Sequence, residues 1–216
     1  MKTDASYEKE AKTGRVTGDI STSLASTVEE AFRTLPVLVE TGSGGAVAAS
    51  VQVIRVSRPV SHVSQIRDHY WLSPTDVQQE LEQFAPAGAF DAVHVVWASG
   101  PLLVFFGLGG AFVNDGKTTF SSIVAGDESW WKGANPGEVF LHEWLHGACR
   151  YFQGLGYVMP DLDADGGSMH GYQESANDGW MTYLGDLMRG NVWEGRLSRY
   201  TGITAEAWKR GRPGDP

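Results

Sequence analysis

An amphipathic helix between Asn135 and Gly156 is the strongest structural signal in the sequence. Asn135 and Pro136 stand where a helix begins, and Gly154 or Gly156 stands where one ends. At about 100° per residue, one face of this helix is apolar, with Leu141, Leu145, Ala148 and Phe152. Because such a helix is stable only when its apolar face is covered, the sequence predicts a core built against it.

The other side of this helix carries the pattern His-Glu-x-x-His, formed by His142, Glu143 and His146. Two histidines four residues apart lie one turn apart on the same face, so both rings can reach one tetrahedral zinc ion. Glu143 stands beside them and can take a proton from water activated by that ion. The pattern therefore predicts a zinc site with Glu143 as the general base.

The remaining signals predict an α+β fold. The length of 216 residues suits one domain, placed at 26–216, after a polar and flexible N-terminal tail at 1–25. A capping pattern at Thr27 indicates a short helix that Pro36 ends. The pattern of apolar residues indicates further elements. Strands are expected at 46–56, 91–98, 102–106 and 120–124, and helices at 73–84, 180–188 and 204–210.

Charge and composition exclude several classes of protein. The 17 basic and 26 acidic residues give a net charge of −9, which argues against a nucleic-acid partner bound through bulk charge. No apolar run reaches membrane-spanning length, so no membrane partner is expected. A single cysteine, Cys149, excludes an internal disulfide and a multi-cysteine zinc cluster. The N-terminus lacks the apolar core of a signal peptide, which indicates a cytoplasmic protein unless a signal peptide has been removed.

The segment Glu-Val-Phe-Leu-His-Glu-Trp-Leu-His at 138–146 resembles the active-site helix of the zincin metallopeptidases. The strand before it, the glycine-rich segment and Phe-Ser-Ser-Ile at 120–123 resemble the zincin layout, a mixed sheet with an edge strand above the helix. The resemblance covers roughly 91–190. The metzincin extension is absent, since Cys149 and Phe152 stand at the positions of its Gly and third His. The resemblance implies a zinc-dependent metallopeptidase whose peptide or protein substrate lies extended along an edge strand within 107–124.

The third zinc ligand must come from beyond the helix, and three residues are candidates. His170 is favoured because it is the only later histidine and precedes the next helix, the place from which zincins usually take this ligand. Glu174 is an alternative because its spacing from Asp178 resembles the Glu-x-x-x-Asp signature of gluzincins. Asp165 is another, by resemblance to aspzincins. Tyr172, close to His170, is the candidate donor of a hydrogen bond to the oxyanion.

A second cation site is also suggested by the sequence. Asp161, Asp163 and Asp165 alternate before a glycine, like the first half of a calcium loop, although Tyr172 stands at the twelfth position instead of glutamate. Calcium is therefore a possible second cofactor.

Two other functions remain open, a zinc hydrolase that acts on a small molecule and a metal-stabilised binding protein. The oligomeric state is not indicated.

Overall fold

The N-terminal region forms strands where the sequence predicts a flexible tail. The computed structural model describes residues 1–9, 12–114, 116 and 118–211. Strands β1 (Thr3–Lys9) and β2 (Lys12–Gly18) pair antiparallel, and β1 also pairs parallel with β3 (Val60–His62). Ala5 and Val16 are buried in an apolar cluster, which holds this sheet in place. Residues 10 and 11 of the predicted tail, and residues 115, 117 and 212–216 of the predicted domain, lie outside the described residues.

Two consecutive helices follow, where the sequence predicts one short helix. Helix α1 (Thr22–Arg33) begins earlier than expected, because the Ser21 hydroxyl accepts a hydrogen bond from the N–H of Leu24 (3.1 Å). Pro36 does not end the helical region. It lies in the first turn of α2 (Leu35–Gly42). N–H groups in the first turn have no acceptor within the helix, so proline loses no hydrogen bond there.

The segment between α2 and the central sheet agrees with the predictions in part. Strands β4 (Ser64–Ile66) and β5 (His69–Trp71) form a hairpin that the sequence did not indicate. The predicted helix at 73–84 is confirmed as a 3₁₀ turn followed by α3 (Gln78–Phe84). The strand predicted at 46–56 is not formed, since no sheet in the described chain includes it. The one predicted at 102–106 is reduced to a single bridge at Val104.

The central sheet is mixed, as predicted. Its strands are β6 (Ala92–Trp97), β7 (Gly107–Val113) and β8 (Thr118–Val124), in the order β6-β8-β7. Strand β8 pairs parallel with β6 and antiparallel with β7. Every residue of β8 is buried, because Ile123 faces a helical core and Phe120 faces the N-terminal strands. Strand β7 therefore forms one edge of the sheet and β6 the other.

Helix α4 (Glu138–Gly154) packs across β7 and β8 as the sequence predicts. Its four predicted apolar residues are all buried.

The remaining elements complete the helical part. They are α5 (Met181–Arg189), β9 (Val192–Glu194), β10 (Arg199–Thr201) and α6 (Ala205–Lys209). Gly190 ends α5 in the left-handed conformation (φ 71°), as expected of a helix C-terminus. None of the described helices combines the length and apolar character needed to cross a membrane.

Candidate metal centre

The polar face of α4 brings His142 and His146 together. Their Nε2 atoms lie 3.2 Å apart, since residues four apart on a helix stand one above the other. The side chains are 25% and 18% exposed, so they are held by packing and still reach solvent. The two ring nitrogens thus converge on one point outside the helix, as the sequence predicts.

Asp165 supplies the third group at this point. It lies in a 3₁₀ turn, Asp163–Asp165, that packs against α4. Its Oδ1 is 3.1 Å from His142 Nε2 and its Oδ2 is 3.7 Å from His146 Nε2. Ligand atoms of a tetrahedral zinc ion lie about 3.4 Å apart, given bonds of ~2.0–2.1 Å. The spacing and the nitrogen–oxygen donor set therefore fit a zinc ion, and no other such group of three occurs among the described residues.

Asp163 orients His146 from the opposite side. Its Oδ1 lies 2.5 Å from His146 Nδ1, which directs His146 Nε2 towards Asp165. Burial lowers the pKa of His146, but the hydrogen bond that its Nδ1 donates to Asp163 and the nearby acidic charges outweigh burial and leave that pKa above its usual value. The Tyr183 hydroxyl donates a hydrogen bond to the Asp163 carbonyl oxygen, which stabilises the turn. This arrangement of carboxylate, imidazole and metal position was not foreseen from the sequence.

Glu143 is buried between α4 and β7. The N–H of Gly109 hydrogen-bonds to its carboxylate, and burial raises the pKa of this group above its usual value. A Cβ atom on Gly109 would lie 2.2 Å from the backbone oxygen of Glu143, and one on Gly107 would lie 2.0 Å from Oε1 of Glu143. Only glycine therefore allows β7 to lie directly against this part of the helix.

Replacing Gly109 by alanine is expected to lower the free energy of unfolding by about 1–3 kcal/mol, because β7 must move off α4 to make room. The matched control is Gly133→Ala, at a position where an added Cβ meets no atom within 4 Å. We expect this control to change the free energy of unfolding by less than about 0.5 kcal/mol. Urea denaturation of both variants measures the difference. Equal stabilities would show that the strand does not depend on close approach at Gly109.

His170, the favoured third ligand, is not part of the metal group. Its Nε2 lies 3.1 Å from the carbonyl oxygen of Asp161, and its ring stacks on Tyr183. The chain turns tightly here, since the N–H of His170 bonds to the carbonyl oxygen of Gly166, and this turn directs the ring into the protein. Glu174 is exposed, and its charge acts on Glu138 instead. Among the three candidates, only Asp165 reaches the two histidines.

Tyr172 is also placed away from the metal group. Its hydroxyl donates to Oδ2 of Asp186 on α5 (2.8 Å). Burial, together with this bond to a carboxylate, raises the pKa of Tyr172 to about 12. The structure therefore engages this hydroxyl elsewhere and gives no support to its predicted role at the oxyanion.

The carboxylates of the three aspartates in the suggested calcium loop contact side chains of the protein and not one another. Asp161 pairs with Arg196, Asp163 bonds His146, and Asp165 approaches His142. The structure does not gather their carboxylates around one cation. The alternation that resembles a calcium loop instead places one candidate ligand and one orienting carboxylate two residues apart.

The comparisons with known proteins add no relative to this description. The chain matches no protein-family model, no curated protein and no solved structure. The case for a metal centre rests on the pattern in α4 and on the geometry of His142, His146 and Asp165.

Proposed function

We propose that this protein is a zinc-dependent peptidase in which His142, His146 and Asp165 hold the metal. The observation that carries the proposal is their spacing beside the buried carboxylate of Glu143. The two Nε2 atoms lie 3.2 Å apart, and the Asp165 carboxylate oxygens lie 3.1 Å from one of them and 3.7 Å from the other. The resemblance of α4 to the zincin active-site helix supports the same conclusion, and an aspartate as third ligand agrees with aspzincins. A bound zinc ion would supply a Lewis acid that polarises the scissile carbonyl and lowers the pKa of a coordinated water.

The exposure of the ligands favours a catalytic site over a purely structural one. The Asp165 side chain is 64% exposed, so substrate can approach from that side. Cys149, which could have closed the site as a fourth ligand, is fully buried in the helical core. A three-residue donor set leaves one position of a tetrahedral ion open, which is the arrangement of catalytic zinc sites. A metal-stabilised binding protein is therefore the weaker alternative.

Glu143 is suited to move the proton in this reaction. It adjoins His142 in the chain without belonging to the ligand group, and its carboxylate is packed against Gly107 and Gly109 of β7. A carboxylate in this position can accept a proton from the attacking water and deliver it to the leaving amine. The covering strand β7 shields the carboxylate from bulk solvent, since Gly107 and Gly109 lie directly against Glu143.

The edge strand β7 favours a peptide over a small-molecule substrate. Within the described residues, β7 pairs only with β8, so its other edge is not part of the sheet. It crosses α4 beside the site, where a Cβ on Gly110 would lie 3.6 Å from Cβ of His146. An extended peptide that pairs with this edge would gain main-chain hydrogen bonds and run past the metal. The exposed Arg150 now donates to the Gly110 carbonyl (3.1 Å) and must be displaced where the peptide needs that oxygen.

The experiment that tests the function compares metal-free and zinc-loaded protein. The protein is stripped with a chelator, reloaded with one equivalent of zinc and incubated with a diverse peptide mixture, and the products are identified by mass spectrometry. We expect cleavage only by the zinc-loaded form. Failure to bind zinc would overturn the proposal. An intact peptide mixture, together with hydrolysis of small esters or amides, would shift the function to a small-molecule hydrolase.

A further inference from the structure

A cavity of about 380 Å³ lies at the edge of the central sheet formed by β6. Strand β6 lines the cavity along Ala92–Val96, and the segment 52–56 lines it as well. Helix α1 contributes to one face of the cavity and α3 to the other. His142, Glu143, His146 and Asp165 are absent from its lining, so the cavity is separate from the metal centre.

The outer edge of β6 already pairs with main chain at one end. The amine of Met1 donates to the Val96 carbonyl oxygen (2.5 Å), and the N–H of Ala98 donates to the Met1 carbonyl oxygen (3.2 Å). These two bonds follow the pattern of parallel strands. Within the described chain, the sheet ladder pairs β6 with β8 alone, and the stretch Ala92–Val95 faces the cavity. At about 3.3 Å per residue, this stretch has room for an extended segment of about four residues.

The cavity lies where a further strand would extend the sheet beyond β6, and apolar side chains line this space on both faces of the sheet. Val28 and Phe32 of α1 pack in the helical core cluster, and Leu81 of α3 belongs to the cluster beside the N-terminal strands; all three line the cavity. A strand that fills this space is therefore buried on both faces. Strands buried on both faces are continuously apolar and do not alternate with polar residues.

The charged groups that line the cavity have partners within the chain. Lys2 pairs with Asp19 at 3.1 Å, and the Met1 amine donates to the Val96 carbonyl oxygen. Arg55 pairs with Glu29 at 2.5 Å, and Arg58 pairs with Glu80 at 2.5 Å, so these charges are matched within the chain. His94 lies in the wall, where Nδ1 is 2.5 Å from the hydroxyl oxygen of Ser121. Burial lowers the pKa of His94 to about 4, so the ring is neutral at neutral pH.

We propose that the cavity binds an extended, continuously apolar peptide segment of a partner protein, which adds to β6 as a parallel fourth strand of the sheet. Main-chain bonds to β6 supply affinity, and the apolar layers on both sides select the side chains. The segment 52–56, which lines the same cavity, contacts the added strand. This site is independent of the proposed peptidase function, because none of its walls belongs to the metal group.

The test uses fluorescein-labelled Ser-Lys-Val-Val-Ile-Val-Lys-Ser amide as the probe, with binding to the full chain measured by fluorescence anisotropy. Two control peptides carry N-methyl groups, one on the first and third apolar residues and the other on the second and fourth. In a parallel strand only alternate residues direct their N–H groups to one neighbour. We expect one control peptide to bind at least about tenfold more weakly than the probe, and the other to bind like the probe. Mass spectrometry after the titration checks that the peptides are intact.

A variant of the protein gives a second measurement. Ala25→Phe places a ring in the cavity, and Ala205→Phe places the same ring on the exposed surface of α6. We expect Ala25→Phe to weaken probe binding at least about tenfold and Ala205→Phe to leave it unchanged, with both folds checked by circular dichroism. Equal binding of the two methylated peptides would overturn the proposal, as would unchanged binding by folded Ala25→Phe. If Ala25→Phe does not fold, binding of the two methylated peptides to the unaltered protein tests the proposal.

Discussion

Replacing Glu143 by glutamine is expected to reduce peptide hydrolysis by about 10²- to 10⁴-fold, the usual contribution of a general base. Glutamine has the same shape, and its amide oxygen can accept the hydrogen bond that the N–H of Gly109 gives to the carboxylate. It cannot accept a proton from water. Because Glu143 is not one of the three grouped ligands, the variant is expected to keep its zinc and its fold. Initial rates on a cleaved peptide, with zinc content measured on the same samples, check both expectations.

Glu138→Gln is the matched control for this variant. Glu138 is another glutamate on α4, less buried than Glu143, and burial raises its pKa too. Its Oε1 accepts the N–H of Trp180 (3.0 Å), so its role is to fasten the loop before α5. We expect the control to hydrolyse peptide within a few-fold of the unaltered protein. A Glu143→Gln protein with full activity would exclude Glu143 as the base, and one without zinc would indicate that Glu143 has a structural role.

The elements that the sequence predicts well are those with strong local signals. Helix α4 has a start signal, an apolar face and glycines at its end, and the structure gives it nearly the predicted bounds. The missed hairpin of β1 and β2 depends on burial of Ala5 and Val16, which arises from contacts with residues far along the chain. At 46–56 the error is the reverse, since the sequence predicts a strand that the structure does not form. The β-branched residues of this segment favour an extended backbone, but a strand also requires a neighbour with which to pair.

The candidate site, like the fold, could be predicted from the sequence only in part. His142 and His146 could be predicted because a regular helix determines their relative position. The third ligand depends on how the chain turns after the helix. Leu162 and Asp163 adopt positive φ angles (63° and 36°), which are uncommon for residues other than glycine and are not indicated by any turn signal in the sequence. This turn brings Asp165, and not His170, to the two histidines.

The second large effect is expected from Asp165, the proposed third ligand. Asp165→Ala is expected to lower the affinity for zinc by more than about 100-fold. Loss of a residue that merely orients a ligand costs 10- to 100-fold, and loss of the ligand itself must cost more. The Asp165 side chain is 64% exposed, so its removal leaves no large cavity in the core. Competition against a fluorescent zinc chelator measures the affinity, and circular dichroism checks the fold.

His170→Ala and Glu174→Ala are the comparison variants, because both residues were alternatives for the same position. Glu174 is exposed and outside the metal group, so its variant is expected to keep the full affinity for zinc. His170 contacts Asp161 and Tyr183 instead of the metal group, so its removal is expected to lower stability while zinc affinity changes by less than a few-fold. Loss of zinc from folded His170→Ala, with zinc retained by Asp165→Ala, would restore His170 as the ligand. It would also require that the turn at 162–165 rearrange when the metal binds.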